Sequence, residues 1–182
     1  MRLRTTALAA LCGGLFLISG VAAQADTVKT SVHRIDASGV KDEIGTIVFA
    51  DSPGGLVMHV DLRNLPAGPH GMHIHENGDC GPAVRDGKPV AGLAAGGHYD
   101  PKKTGSHKGP MTPGGHKGDL PLVAVPESGN VSGTMKAPQL KVADIRGRSV
   151  MIHDGGDNYA DTPSPLGGGG DRIACGVIPP AE

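Results

Sequence analysis

Residues 56–62 read Leu56-Val57-Met58-His59-Val60-Asp61-Leu62. Side chains on a strand alternate between its two faces, so Leu56, Met58, Val60 and Leu62 would share one face, with Val57, His59 and Asp61 on the other. That alternation predicts a strand with one side packed and one side wetter. Just upstream, Asp51-Ser52-Pro53-Gly54-Gly55 is turn punctuation, and Gly45–Ala50, carrying Ile47, Val48 and Phe49, is a second strand candidate. Working outward, Thr27–Ile35, His70–His75, Leu120–Val125, Asn130–Lys136, Ser149–His153 and Ile173–Ile178 bring the candidates to eight. Leu120–Val125 and Asn130–Lys136 could form a hairpin around Pro126–Gly129. No stretch has the pattern of a long amphipathic helix, so the chain reads as all-β, an antiparallel sandwich or barrel.

Composition agrees. Gly (30) and Pro (15) make up 45 of 182 residues, which favours short strands joined by turns over long helices. The formal net charge of -1 excludes a nucleic-acid partner held by bulk basic charge. Two stretches are not strand-like: Asn77–Gly118 and Asp154–Asp171, the second ending in Gly167–Gly170. Loops of this length in a compact domain usually carry function. The Gly167–Gly170 run is not a phosphate cradle, because no Lys-Ser/Thr follows it.

Residues 1–25 have the form of a secretory signal peptide. Arg2 and Arg4 open it, an apolar run follows, and Ala23-Gln24-Ala25 is a small-x-small cleavage site before Asp26. The run is too short and too broken by Gly13-Gly14 for a membrane span. The mature domain would be residues 26–182, with no membrane contact once the signal is removed. It would keep fifteen Lys+Arg against eighteen Asp+Glu and two cysteines, Cys80 and Cys175. In an oxidising compartment a disulfide between these is the natural reading, against free thiols or metal ligands. On the chain-entropy model such a long loop is worth roughly 4–5 kcal/mol.

Nine His are many for a chain with so few aromatics. His73-Ile74-His75 places two imidazoles on one strand face, half of a transition-metal site. An isolated pair of this kind fits two solvated surface histidines better. His98, His107, His116 and Asp119 then fall together in the first long stretch, and three His with one Asp suit tetrahedral zinc. His153 ends the Val150-Met151-Ile152 run. With His73, His75 and one more His it would complete an all-imidazole site, which favours copper. Six His and one Asp serve two four-coordinate ions only if one ligand is shared.

The segments His70-Gly71-Met72-His73-Ile74-His75-Glu76, Gly78-Asp79-Cys80, Gly97-His98-Tyr99-Asp100-Pro101, His107-Lys108-Gly109-Pro110, His116-Lys117-Gly118-Asp119-Leu120 and Arg172-Ile173-Ala174-Cys175-Gly176-Val177-Ile178 resemble, in order, those of copper,zinc superoxide dismutases, in the form of the bacterial periplasmic branch. The resemblance covers essentially all of the mature chain. It implies an eight-stranded antiparallel Greek-key β-barrel or sandwich with two long functional loops. It implies one copper and one zinc per chain, superoxide anion as substrate, a periplasmic location and, commonly though not always, a homodimer. Carried over by position, His73, His75, His98 and His153 are implied to hold copper, and His98, His107, His116 and Asp119 zinc, with His98 the bridge. Arg172 is implied to guide the anion and His98 to carry a proton. Asp157 is implied to link a copper-side to a zinc-side histidine, and Cys80 with Cys175 to form the disulfide. His70 is implied to be structural, while His33 and His59 match nothing functional. Met72 stands where an aromatic is usual. Lys102, Lys103, Lys108 and Lys117 either add positive potential near the channel or are solvated loop lysines. A copper carrier, a copper-only dismutase and a structural zinc domain are the alternatives. They fit less well, because Arg172 and both candidate ligand sets are present.

Overall fold

A computed structural model describes residues 25–181. The expected signal segment lies, all but Ala25, outside the described residues.

The alternating stretch is a strand, β3 (Gly55–Leu62). Leu56, Met58, Val60 and Leu62 are at most 1 % exposed, while His59 and Asp61 face solvent. β3 lies between β2 (Gly39–Ser52) and β9 (Val131–Ala137). With β1 (Thr27–Asp36), β5 (Met72–His75), β10 (Ser149–His153) and β11 (Arg172–Val177), these form one antiparallel sheet in the order β5-β10-β11-β1-β2-β3-β9. A second pair joins β4 (Gly68–His70) to β8 (Val123–Val125), and β6 (Ala83–Arg85) and β7 (Lys88–Val90) make a small hairpin.

Eleven strand segments thus stand where eight were expected. β4 and β5 are one strand interrupted at Gly71, where pairing passes from β8 to β10. The β6–β7 hairpin lies inside a long loop. Counted so, eight strands curl into an antiparallel barrel. The links from β3 to β4 and from β9 to β10 cross from one region of the sheet to another, as in a Greek key.

One local expectation is corrected. β8 and β9 are consecutive but do not pair: β8 bonds to β4 and β9 runs along the whole of β3. Seven registered positions on β3, from Leu56 opposite Ala137 to Leu62 opposite Val131, hold β9 there. A tight turn predicts proximity, but the longer apolar partner decides the pairing.

The barrel interior is aliphatic. Phe49, Ile47, Leu56, Met58, Met72, Ile74, Leu120 and Leu140 are all at most 1 % exposed, each burial contributing about 1.5–3 kcal/mol. Met72 therefore packs into the core. A separate small cluster of Ile35, Cys80, Ala95, Met151 and Cys175 lies around the Cys80–Cys175 disulfide.

The outer side of β5 is covered by two loop segments. Ile74 N–H donates to Gly118 O and Tyr99 N–H to Ile74 O, each at 2.8 Å, and Leu120 N–H donates to Met72 O at 3.2 Å. Gly118 permits this approach, since a Cβ there would clash with the Ile74 carbonyl. The long loop is thereby laid against the strand bearing His73 and His75.

Candidate metal centre

His73 and His75 project from β5 and His153 from the end of β10, the strand paired to it. His98 arrives on the loop covering β5, in a bridge opposite His75. All four are buried, and each brings one ring nitrogen within 4.8 Å of the others'.

The hydrogen bonds define which nitrogens converge. His73 Nε2 faces Asp157 Oδ2 at 2.8 Å, His75 Nδ1–H donates to Gly96 O at 3.0 Å, and His153 Nδ1–H donates to Gly170 O at 3.3 Å. Each acceptor holds one N–H and fixes the ring. The opposite nitrogens, His73 Nδ1, His75 Nε2 and His153 Nε2, are buried with no hydrogen-bond partner among the described residues. Three orphaned lone pairs in one buried spot would be costly without a cation to receive them. Burial and the neighbouring His98 push His73 down to about 3, and burial pushes His153 down to about 4. Burial also drives His75 and His98 down. All four are therefore neutral lone-pair donors at physiological pH.

A second group adjoins the first. The Nδ1 atoms of His98, His107 and His116 lie 3.3, 3.0 and 3.5 Å from one oxygen, Asp119 Oδ1. Ligands at zinc bond lengths of about 2.0–2.1 Å in a tetrahedron are about 3.3–3.4 Å apart, so each of the three nitrogens stands near ligand spacing from Asp119 Oδ1. The other oxygen, Asp119 Oδ2, accepts the backbone N–H groups of Lys108 and Gly109, which hold the carboxylate in place. His116 Nδ1 is otherwise unpartnered. Burial works against charge on Asp119, yet the three imidazoles hold it far below the usual carboxylate range. Burial also opposes charge on His107, but Asp119 and Asp157 at its two ring nitrogens raise it to about 9. Two carboxylates facing the His107 ring favour positive charge at this spot.

The two groups are joined twice. His73 and His98 both fall in each of the two converging sets, His73/His75/His98/His153 and His73/His98/His107/Asp119, with His116 beside the second, and the His98 ring stacks on that of His73 at 3.8 Å between centroids. Asp157 then spans them, with Oδ2 on His73 Nε2 and Oδ1 on His107 Nε2, each at 2.8 Å. His70 stays outside both groups, its ring nitrogens against the carbonyls of His153 and Pro66. His33 and His59 lie outside too, on the partly exposed outer faces of β1 and β3.

A cavity of about 200 Å³ opens onto His75, His98 and His153, with Arg172 on its wall. The Arg172 guanidinium donates to Gly92 O and, at 2.7 Å, to Gly96 O. The disulfide ties this 77–96 loop to β11, the strand that Arg172 begins. Two more mouth residues carry no signal in the sequence: Arg85, from the β6–β7 hairpin, and Leu166, from the second long loop. Lys102, Lys103, Lys108 and Lys117 do not line this cavity. Lys117 pairs with Asp144 and, with Lys102, borders a separate cavity beside Tyr99. The positive charge at the mouth comes from Arg85 and Arg172.

Taken together, a curled β-barrel carrying two adjoining buried clusters of histidine and aspartate, one of them all-histidine, has the form of a metalloprotein, and copper and zinc are the metals that suit the two donor sets. Residues 43–178 match the family described as copper/zinc superoxide dismutase (SODC), and the chain belongs to that family, in its bacterial branch. It is 50% identical over 154 residues to the Superoxide dismutase [Cu-Zn] of Pasteurella multocida (strain Pm70), covering 84% of this chain and 83% of that one. It is 51% identical over 157 residues to that of Brucella abortus biovar 1 (strain 9-941), covering 86% and 89%. Among solved structures, the Cu/Zn superoxide dismutase from Brucella abortus superposes with a TM-score of 0.82 at 49% identity, covering 84% of this chain and 99% of that chain. The monomeric copper, zinc superoxide dismutase from Salmonella enterica gives 0.75 at 48%, covering 84% and 99%.

Proposed function

We propose that the mature chain disproportionates superoxide in the periplasm, with copper held by His73, His75, His98 and His153 and zinc by His98, His107, His116 and Asp119. The carrying observation is the set of three buried, unpartnered nitrogens on His73, His75 and His153 beside the cavity walled by Arg172. Copper supplies a centre that cycles between two oxidation states, and zinc a fixed charge.

The chain's own groups do the rest. Arg85 and Arg172 draw the anion into the mouth. The two carbonyls on Arg172 fix its guanidinium so that its remaining donors can orient the incoming oxygen. His98 is the proton carrier: Nδ1 faces Asp119, and the opposite ring nitrogen takes a proton and delivers it to the reduced oxygen. Two superoxide anions and two protons thus give dioxygen and hydrogen peroxide. Asp157 holds the His73 and His107 rings in register. The small mouth limits access to compact anions.

The signal-like segment 1–25 and the disulfide both support export, since disulfides persist in oxidising compartments. The domain is then 26–182. A homodimer is the remaining partner reading; sedimentation of the mature chain tests it, a single-subunit mass counting against it.

The deciding experiment reconstitutes mature wild-type and His153→Ala protein with copper and zinc. The wild type should hold about one of each metal and turn over superoxide. His153→Ala should keep zinc and lose turnover. Full activity in His153→Ala, or copper bound by the wild type without turnover, would overturn the proposal.

A further inference from the structure

The second long loop grips the first at alternate residues. Asp157 reaches His73 and His107, and the Tyr159 ring packs on Gly109 while its hydroxyl accepts Leu122 N–H at 3.0 Å. The third, Asp161, has no part in the metal sites. Its Oδ2 accepts the backbone N–H of His107 at 2.9 Å, and its Oδ1 accepts the backbone N–H of Leu166 at 3.3 Å. One carboxylate therefore fastens a zinc-side histidine's backbone to the backbone of a residue on the mouth wall.

Leu166 needs fastening. It sits at φ 54 and ψ 43, a left-handed conformation that a leucine adopts only when its surroundings hold it there. The residue is 43% exposed, at the rim of the cavity that opens on His75, His98 and His153. The next residue, Gly167, donates to Ala160 O at 2.9 Å and accepts Asn158 N–H at 3.1 Å, so the turn from 158 to 167 closes on itself. Asp161 is the link from that turn to the backbone of His107.

We propose that Asp161 is a positioning residue that couples the two loops: it holds Leu166 as a fixed lip restricting which anions reach the copper-side cavity, and holds the His107 backbone for zinc. The carboxylate touches neither substrate nor metal. It acts through two N–H groups, so its effects should have the size of one or two charge-assisted hydrogen bonds in partly solvated surroundings. This inference rests on the copper and zinc assignment above.

The test uses mature protein loaded with copper and zinc. Wild type, Asp161→Ala, Asp161→Asn, Leu166→Ala and the Asp161→Ala/Leu166→Ala double variant are compared in three readouts. These are zinc release to a chelator, azide affinity, and the rate at which hexacyanoferrate(II), a bulkier anion, reduces the bound copper. In Asp161→Ala, zinc release and the hexacyanoferrate(II) rate should each rise about three- to tenfold, with azide affinity within about twofold. Asp161→Asn keeps one oxygen acceptor and should fall between. Leu166→Ala should reproduce the hexacyanoferrate(II) gain without the zinc effect, and the gains should not multiply in the double variant, because both act on one lip. Unchanged zinc release and unchanged hexacyanoferrate(II) rate in Asp161→Ala would overturn the proposal. So would an equal loss in all anion readouts with a lowered melting temperature, which marks a general fold defect. If Asp161→Ala does not fold, Asp161→Asn and Leu166→Ala still decide it. Failure of the wild type to bind copper would instead refute the functional assignment.

Discussion

Gly167 stands against Asp157 with no room for a side chain between them: a Cβ at 167 would overlap the Asp157 carboxylate and approach His107 Nε2 to 2.9 Å. The residue also sits at φ 73, where glycine alone is unstrained. The carboxylate that spans the two metal groups is thus held in place by the absence of a side chain on the second loop.

Gly167→Ala should therefore act as a site mutation. Displacing Asp157 frees the His73 and His107 rings, and loss of such an outer partner typically costs 10–100-fold in metal affinity or activity, figures on the order seen for comparable sites. Metal content and turnover, measured together, should both fall. Wild-type values would show that Asp157 adjusts freely.

Arg172→Glu should keep both metals while turnover falls more than about tenfold at low ionic strength, because a cation at the mouth becomes an anion. Arg85→Glu should do the same more weakly, since Arg85 lies on an exposed hairpin. Rate against salt concentration is the check. A rate independent of salt in the wild type would remove the guiding role from both.

Removing the disulfide with Cys80→Ser and Cys175→Ser should lower stability by roughly 4–5 kcal/mol on the chain-entropy model. It should also free the loop whose Gly92 and Gly96 carbonyls hold Arg172. Turnover should then drop with copper still bound. Denaturant midpoints and copper content measure the two effects separately, and an unaltered midpoint would contradict the first.

The metal-free mature protein should be most stable at about pH 7, where proton uptake by the four lowered histidines in the unfolded chain balances that of His107 in the fold. His73 and His153 titrate at about 3 and about 4 in the fold, and His75 and His98 are lowered as well. The unfolded chain binds protons at these sites near pH 6.5 and the folded chain does not, so stability falls on acidification below that point. His107 is raised to about 9, so the stability it adds below pH 6.5 is lost as pH climbs through 9. Four lowered histidines against one raised make the acid side steeper. A melting temperature that rises from pH 6.5 to 5 would refute this account.

The strand pattern was legible because burial on one face imposes a period of two wherever a strand contributes to the core. All eight candidate segments became strands or parts of them. The candidate donors were legible because metal binding demands particular atoms; six of the seven fall in the two converging buried clusters, and His116 lies beside Asp119. Partner choice was not legible in the same way: Pro126–Gly129 looks like a hairpin turn, yet β9 pairs with β3, an outcome set by registers across the barrel. The source of the mouth charge was left open by the sequence for a like reason. Five lysines crowd the first long loop, but Lys117 turns to Asp144, and Arg85, on a three-residue strand of its own, reaches the cavity.

By itself, the sequence determined that the chain would be a barrel of short strands with six histidines and one aspartate able to serve as metal donors, because periodicity and donor chemistry are properties of residue order. Only the tertiary structure decided which nitrogens are left without a partner, which arginines face the cavity, and why Gly167 and Asp161 lie where they do. Those depend on two loops meeting across more than fifty residues of chain, as His107 and Asp161 do. Distances between such segments are set by packing of the whole barrel, which no local pattern encodes.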